Sequence, residues 1–130
     1  MRKTIFLTRA HVERLNSLVV DQALPTHKRQ SLREIIDQAI VCTHTSLPAK
    51  AITLHTPFLC IEAQHREHLL WRIVYPEDAD YRQGKLSILS PAGMALFGLH
   101  EGQHVRVAVP ESLNFLEITV EEVLEPERIH

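Results

Sequence analysis

Near Leu47–Pro48 the apolar residues of this chain stop recurring every three or four positions and begin to recur every second one. A helix presents its buried face with the first spacing and a half-buried strand with the second, so the two stretches call for different structures. Before the change, Val12, Leu15 and Val19 follow Thr8, whose hydroxyl can accept a backbone N–H as an N-cap. This predicts a helix ending near Asp21, ahead of Pro25. Ser31 and Glu34 then have the spacing of a capping box, and Leu32, Ile35, Ile36, Ala39 and Ile40 form a stripe behind them. Two short amphipathic helices joined by a polar loop predict an antiparallel hairpin with its tip over residues 21–30. Their stripes are read as packing faces rather than ligand grooves.

After the change, Ile52 and Leu54, then Leu59 and Ile61, then Leu69, Trp71 and Ile73 alternate as strands do, with a polar turn expected over residues 64–68. Leu86 and Ile88, Val105, Val107 and Val109, and Leu116, Ile118 and Val120 continue the pattern. One short helix interrupts it. Ser90 is a good N-cap, Pro91 suits the first helical position because its missing N–H would be unpaired there, and Gly98 can take the left-handed closing conformation. Gly102 fits a tight turn into the next strand. The expected class is α+β: a helical hairpin over residues 1–48, then an antiparallel β domain with one short helix over 49–130.

The chain's 130 residues suffice for one compact core without covalent staples. Fourteen Lys and Arg against sixteen Asp and Glu leave a net charge of −2, which gives no global attraction to nucleic acid. A basic patch at His27, Lys28, Arg29 and Arg33 and an acidic end at Glu111, Glu117, Glu121, Glu122, Glu125 and Glu127 read first as solvated faces. Cys42 and Cys60 form no C-x-x-C pair, so buried free thiols are expected rather than a zinc or redox site. His65 and His68 are three apart but have no Cys or Asp beside them, and no metal or cofactor is expected. The N-terminal apolar run breaks at Thr8-Arg9, and no stretch approaches the roughly 20 apolar residues of a membrane span, so the expected address is the cytoplasm.

Ser90-Pro91-Ala92-Gly93-Met94-Ala95-Leu96-Phe97-Gly98, flanked by Gly84–Leu89 and Leu99–Val105 and preceded by Asp80, resembles the C-terminal domain of the Gre transcript-cleavage factors. The serine-proline helix start, the Ala-Leu pair and the two spaced glycines occur in order, and the resemblance extends over the second part of the chain. It implies an FKBP-like fold that docks on the outer rim of the RNA polymerase secondary channel. Polymerase is then the expected partner of a monomer, with nucleic acid met only through it. Asp80, Ser90 and Pro91 are the expected docking residues, with Asp80 pairing a basic group on the rim. Within the Gre group the chain is similar to the regulator of nucleoside diphosphate kinase family, through its short helix pair, Ala39-Ile40-Val41-Cys42 before Leu47-Pro48, and Val74-Tyr75-Pro76. Gln103 stands where Gre proteins usually place Asp, and Pro110-Glu111-Ser112-Leu113 replaces a glycine-rich turn.

Gre factors, as the resemblance implies, carry two carboxylates on a long coiled coil to the polymerase's metal site. Holding Mg²⁺ and activating water needs clustered oxygen ligands. The expected tip offers Asp21, opposed in charge by His27, Lys28 and Arg29. The chain is therefore expected not to be an enzyme: it should bind polymerase, compete with Gre factors and leave cleavage unstimulated. No glycine-rich phosphate loop accompanies any histidine, so kinase activity of its own is not expected either. The alternatives are an FKBP-like module for another protein partner and a prolyl isomerase whose pocket would use Phe58, Trp71, Tyr75, Tyr81, Phe97 and Phe115.

Overall fold

The computed structural model describes residues 3–43, 51–109 and 114–124. The Leu47–Pro48 turn, with the boundary expected there, and the Pro110–Leu113 segment lie outside the described residues. The first described stretch holds β1 (Phe6–Thr8), α1 (Arg9–Val19), α2 (Thr26–Gln38) and β2 (Ile40–Cys42). The rest holds β3 (Phe58–Glu62), β4 (Glu67–Val74), β5 (Lys85–Ser87), α3 (Pro91–Leu96), β6 (His104–Val107) and β7 (Leu116–Val123).

Helix α1 starts where its sequence signals it. Thr8 Oγ1 accepts the His11 N–H at 3.1 Å, and His11 Nδ1 accepts the Thr8 N–H at 3.1 Å. This is a capping box with His in the place of the usual Glu or Gln. Helix α2 starts earlier than its Ser31–Glu34 pattern implies. Pro25 stands at the N-cap, extended at ψ 144° and with no side-chain cap, and the helix runs from Thr26. Ser31 then lies inside it, and its hydroxyl donates to the His27 carbonyl at 3.0 Å instead of capping anything. Ala39 leaves the helix at ψ 139°, so Ile40 is a strand residue, 52% exposed, and not part of the helical stripe.

β1 and β2 pair in parallel, Phe6 against Ile40 and Leu7 against Val41, and so tie the entrance of the helix pair to its exit. The main sheet has the order β5-β4-β3-β7-β6. β3 and β4 form a hairpin whose turn places Arg66 at φ 54°, and β7 returns between β3 and β6. The sheet is antiparallel except at one edge, which corrects the wholly antiparallel expectation: β5 runs parallel to β4. Parallel neighbours need a crossover, supplied here by two 3-10 turns, Pro76–Asp78 and Tyr81–Gln83. Residues 51–54 are buried but form no strand: Ala51 bridges His100 in the loop after α3, Ile52 exchanges backbone bonds with Gly98 and Leu99, and Leu54 bridges Ile73 of β4. Phe58, Trp71, Ile73, Ile88, Leu96, Phe97, Ile118 and Val120 fill the core, and Leu7, Leu15 and Leu32 from the helical part belong to the same cluster.

Candidate functional site

Asp80, Ser90 and Pro91 lie beyond the two ends of β5. Asp80 is exposed and opens the Tyr81–Gln83 turn. Its N–H donates to the Lys85 carbonyl at 2.9 Å, and its own carbonyl accepts from Lys85 N–H at 3.0 Å and Gln83 N–H at 3.0 Å. The backbone is thus held firmly while the carboxylate faces outward. Gly84 closes that turn at φ 76°, with its Cα so near Leu70 that a Cβ would lie 2.4 Å from the Leu70 carbonyl oxygen.

At the other end, the Ser90 hydroxyl accepts the Gly93 N–H at 3.0 Å and donates to the Ser87 carbonyl at 2.7 Å. One side chain therefore caps α3 and fastens it to the turn after β5. Pro91, next along, is exposed. Lys3 supports the far side of the helix by donating its ammonium to the Met94 carbonyl at 2.8 Å, and burial lowers the pKa of that ammonium. Lys3 and Gly93 are supports of α3 that pattern reading missed. A lysine ninety residues away carries no local signal, and Gly93 counted only as one of two spaced glycines.

The helix-pair tip is the connection over residues 20–25. Asp21 is exposed, and its Oδ1 accepts the Ala23 N–H at 2.9 Å in a local turn. His27, Lys28 and Arg29 sit in the first turn of α2 rather than in the loop. Arg29 Nη2 donates to Thr26 Oγ1 at 3.4 Å, so that arginine lies along its own helix. No acidic residue stands in this first turn, and Asp21 is the carboxylate that precedes it in the connection.

Elsewhere several ionisable side chains are engaged by near neighbours within the fold. His65 and His68 do not converge: the first is 2.9 Å from Glu62, the second 3.1 Å from Glu121. Burial acts to raise the Glu62 pKa, but backbone N–H donation from His65 and Gln64 and the His65 ring together hold it below the ordinary value. That carboxylate braces the β3–β4 turn. Cys60 is buried, and burial, with Glu121 adding to it, pushes its thiol up to about 12. Among the described residues, no three His, Cys, Asp or Glu side chains gather as a metal site would require. No described helix is long and apolar enough to cross a membrane. The aromatics do not gather in one pocket. Phe58 and Phe97 are core, Phe115 is 61% exposed, and Trp71 and Tyr81 border an open groove of about 510 Å³ with Leu70 and Arg82.

Residues 48–124 match the family described as transcription elongation factor, GreA/GreB, C-term. GreA of Rhodopseudomonas palustris (strain BisA53) is 30% identical over 95 residues, 73% of this chain and 59% of that protein. GreA of Azorhizobium caulinodans is 28% identical over 97 residues, 75% of this chain and 62% of that protein. The chain thus spans less than two thirds of the length of these relatives. The structure of a prokaryotic transcription elongation factor GreA/GreB from Nitrosomonas europaea aligns with a TM-score of 0.78 at 27% identity, covering 95% of this chain and 100% of that one. The Gfh1 protein of Thermus thermophilus shares the fold with a TM-score of 0.54 at 19% identity. Because the matched segment, with α3 and the strands around it, makes up more than half of the sequence, the chain belongs to the GreA/GreB C-terminal family of transcription elongation factors.

Proposed function

We propose that this protein is an RNA polymerase-binding regulator that occupies the rim of the secondary channel without stimulating transcript cleavage. In this reading the β domain, residues 49–130, is the FKBP-like docking unit and the helix pair, residues 1–48, is a shortened hairpin at the channel mouth. The observation that carries it is the family's C-terminal domain joined to helices of only 11 and 13 residues. Asp80 and Pro91 are the exposed contacts. Ser90 acts from behind them, because both capacities of its hydroxyl are used in holding α3. The chain fits the regulator of nucleoside diphosphate kinase branch in this respect, acting in the cytoplasm as a monomer, with no cofactor and no catalytic residue of its own.

The test is competition. Backtracked elongation complexes are given a cleavage-stimulating Gre factor and increasing amounts of this protein. Suppression of cleavage is expected, and Asp80→Lys should shift it to higher protein concentration and change its salt dependence, as a rim charge does. Undiminished cleavage at saturating protein would remove the shared site.

A further inference from the structure

We propose that Arg14 is a positioning residue that sets where the helix pair points relative to the β domain. The polymerase arm of its test rests on the polymerase-binding reading above; its geometry does not. The Arg14 guanidinium lies 5.3 Å from the centroid of the Tyr75 ring and also ion-pairs with Glu77 in the Pro76–Asp78 turn. The Tyr75 ring meets the His55 ring edge-on at 5.2 Å, and His55 lies 6.1 Å from the ring of His11. His11 and Arg14 are three apart on α1 and so share a face. The four side chains close a circuit in which α1 grips the β domain at two points.

The far side of that circuit is rigid. His55 is held at φ 63°, a left-handed value uncommon outside glycine, with its N–H donated to the Ile73 carbonyl at 2.8 Å. Tyr75 follows the end of β4 directly and is half-buried. Leu7, Leu15, Val19 and Leu32 attach the helical part through the common core, but apolar burial has no direction of its own. A planar guanidinium on a ring face does. The Arg14 and Glu77 side chains are 42% and 49% exposed, so their ion pair adds little stability. What Arg14 contributes is therefore aim. Packed helices tolerate a spread of about 20° in crossing angle. Over the roughly 16 Å length of α1, such a tilt moves the tip by about 5 Å.

The experiment places spin labels at Ala23→Cys in the connection and Glu101→Cys on the β domain, both exposed, in a Cys42→Ser background. Buried Cys60, with its thiol pushed up to about 12, stays unlabelled. A single narrow distance distribution is expected for the parent. Arg14→Met should broaden or shift it by several ångströms, Arg14→Lys should fall between, and Tyr75→Leu should reproduce Arg14→Met from the other partner. On polymerase, unlabelled Arg14→Met should keep both its affinity and its suppression of Gre-stimulated cleavage, because in the occupancy reading both follow docking by the β domain. An unchanged distribution in both Arg14→Met and Tyr75→Leu overturns the positioning role. Affinity and suppression falling together would make Arg14 a docking contact and overturn it equally. A parent that does not bind polymerase overturns the functional reading alone, since the distance measurements decide the positioning role without polymerase.

Discussion

Gly93 shows how one atom can decide where an element sits. A Cβ there would lie 2.0 Å from the Ser87 carbonyl oxygen and 2.9 Å from its carbon, both backbone atoms that cannot swing aside. Glycine inside a helix ordinarily costs about 1 kcal/mol relative to alanine, so propensity alone would favour replacing it. The close approach reverses that sign. Gly93→Ala is expected to destabilise the protein by about 1–3 kcal/mol, the usual cost of forcing extra volume into a packed site. Urea unfolding of parent and variant measures it, and an unchanged or higher midpoint would mean that α3 does not press on the Ser87 turn. The sequence marks this position only by its glycine; that the contact is with Ser87 depends on how tightly the chain turns after β5. Ser90 was more legible, because N-cap and N1 proline signals are local and their geometry is met within four residues.

Among the elements, those bounded by local chemistry were readable and those bounded by distant partners were not. The Thr8 cap fixed α1 correctly, although its reciprocal partner proved to be a histidine. Ser31 and Glu34 suggested a helix start too late in the chain, since the same serine can cap a helix or donate back into one and the helix begins at Thr26. β1 and β2 have three residues each, too few for a period, and pair across thirty-odd residues of helix. The segment before β3 is another such case: its buried run reads as a strand, but it serves as a brace carrying His55 between α1 and β4. Burial lowers the His55 pKa, with Asp78 opposing and Arg72 reinforcing that shift. The unfolded ring takes up its proton at the ordinary value and the folded ring only at lower pH. Stability from this group is thus complete above about pH 6.5 and is lost as pH falls through the folded value. His55→Asn keeps a residue tolerant of the left-handed backbone and removes the titration. Its unfolding midpoint should fall less than the parent's between about pH 7.5 and about pH 5.5, by a modest margin because the ring is only half-buried. Equal losses would show that His55 is not a source of the acid sensitivity.

For the molecule as a whole, the α+β class and the GreA/GreB family could be read from sequence because α3 and its flanks carry a distinctive local pattern. The Arg14 circuit could not, since it joins positions 11, 14, 55, 75 and 77 through the fold and no spacing announces it. Length is the property that separates this chain's proposed action from cleavage. Helices of 11 and 13 residues reach roughly 16–20 Å. Ligand count and reach both argue against cleavage, and they can be separated by improving the first while leaving the second alone. His27→Asp with Lys28→Glu places two carboxylates in the first turn of α2, close in sequence to Asp21. That turn has no acidic residue now, and negative charge at a helix N-terminus is favourable, so the variant should fold at least as well as the parent. The expected result is no cleavage of backtracked RNA, with competition against a Gre factor retained. Cleavage by the double variant would mean that reach was never limiting, and the occupancy model would fall with it. Inactivity together with lost competition would instead place His27 or Lys28 among the contacts to polymerase, and the helix pair, not only the β domain, would have to be counted in the docking surface.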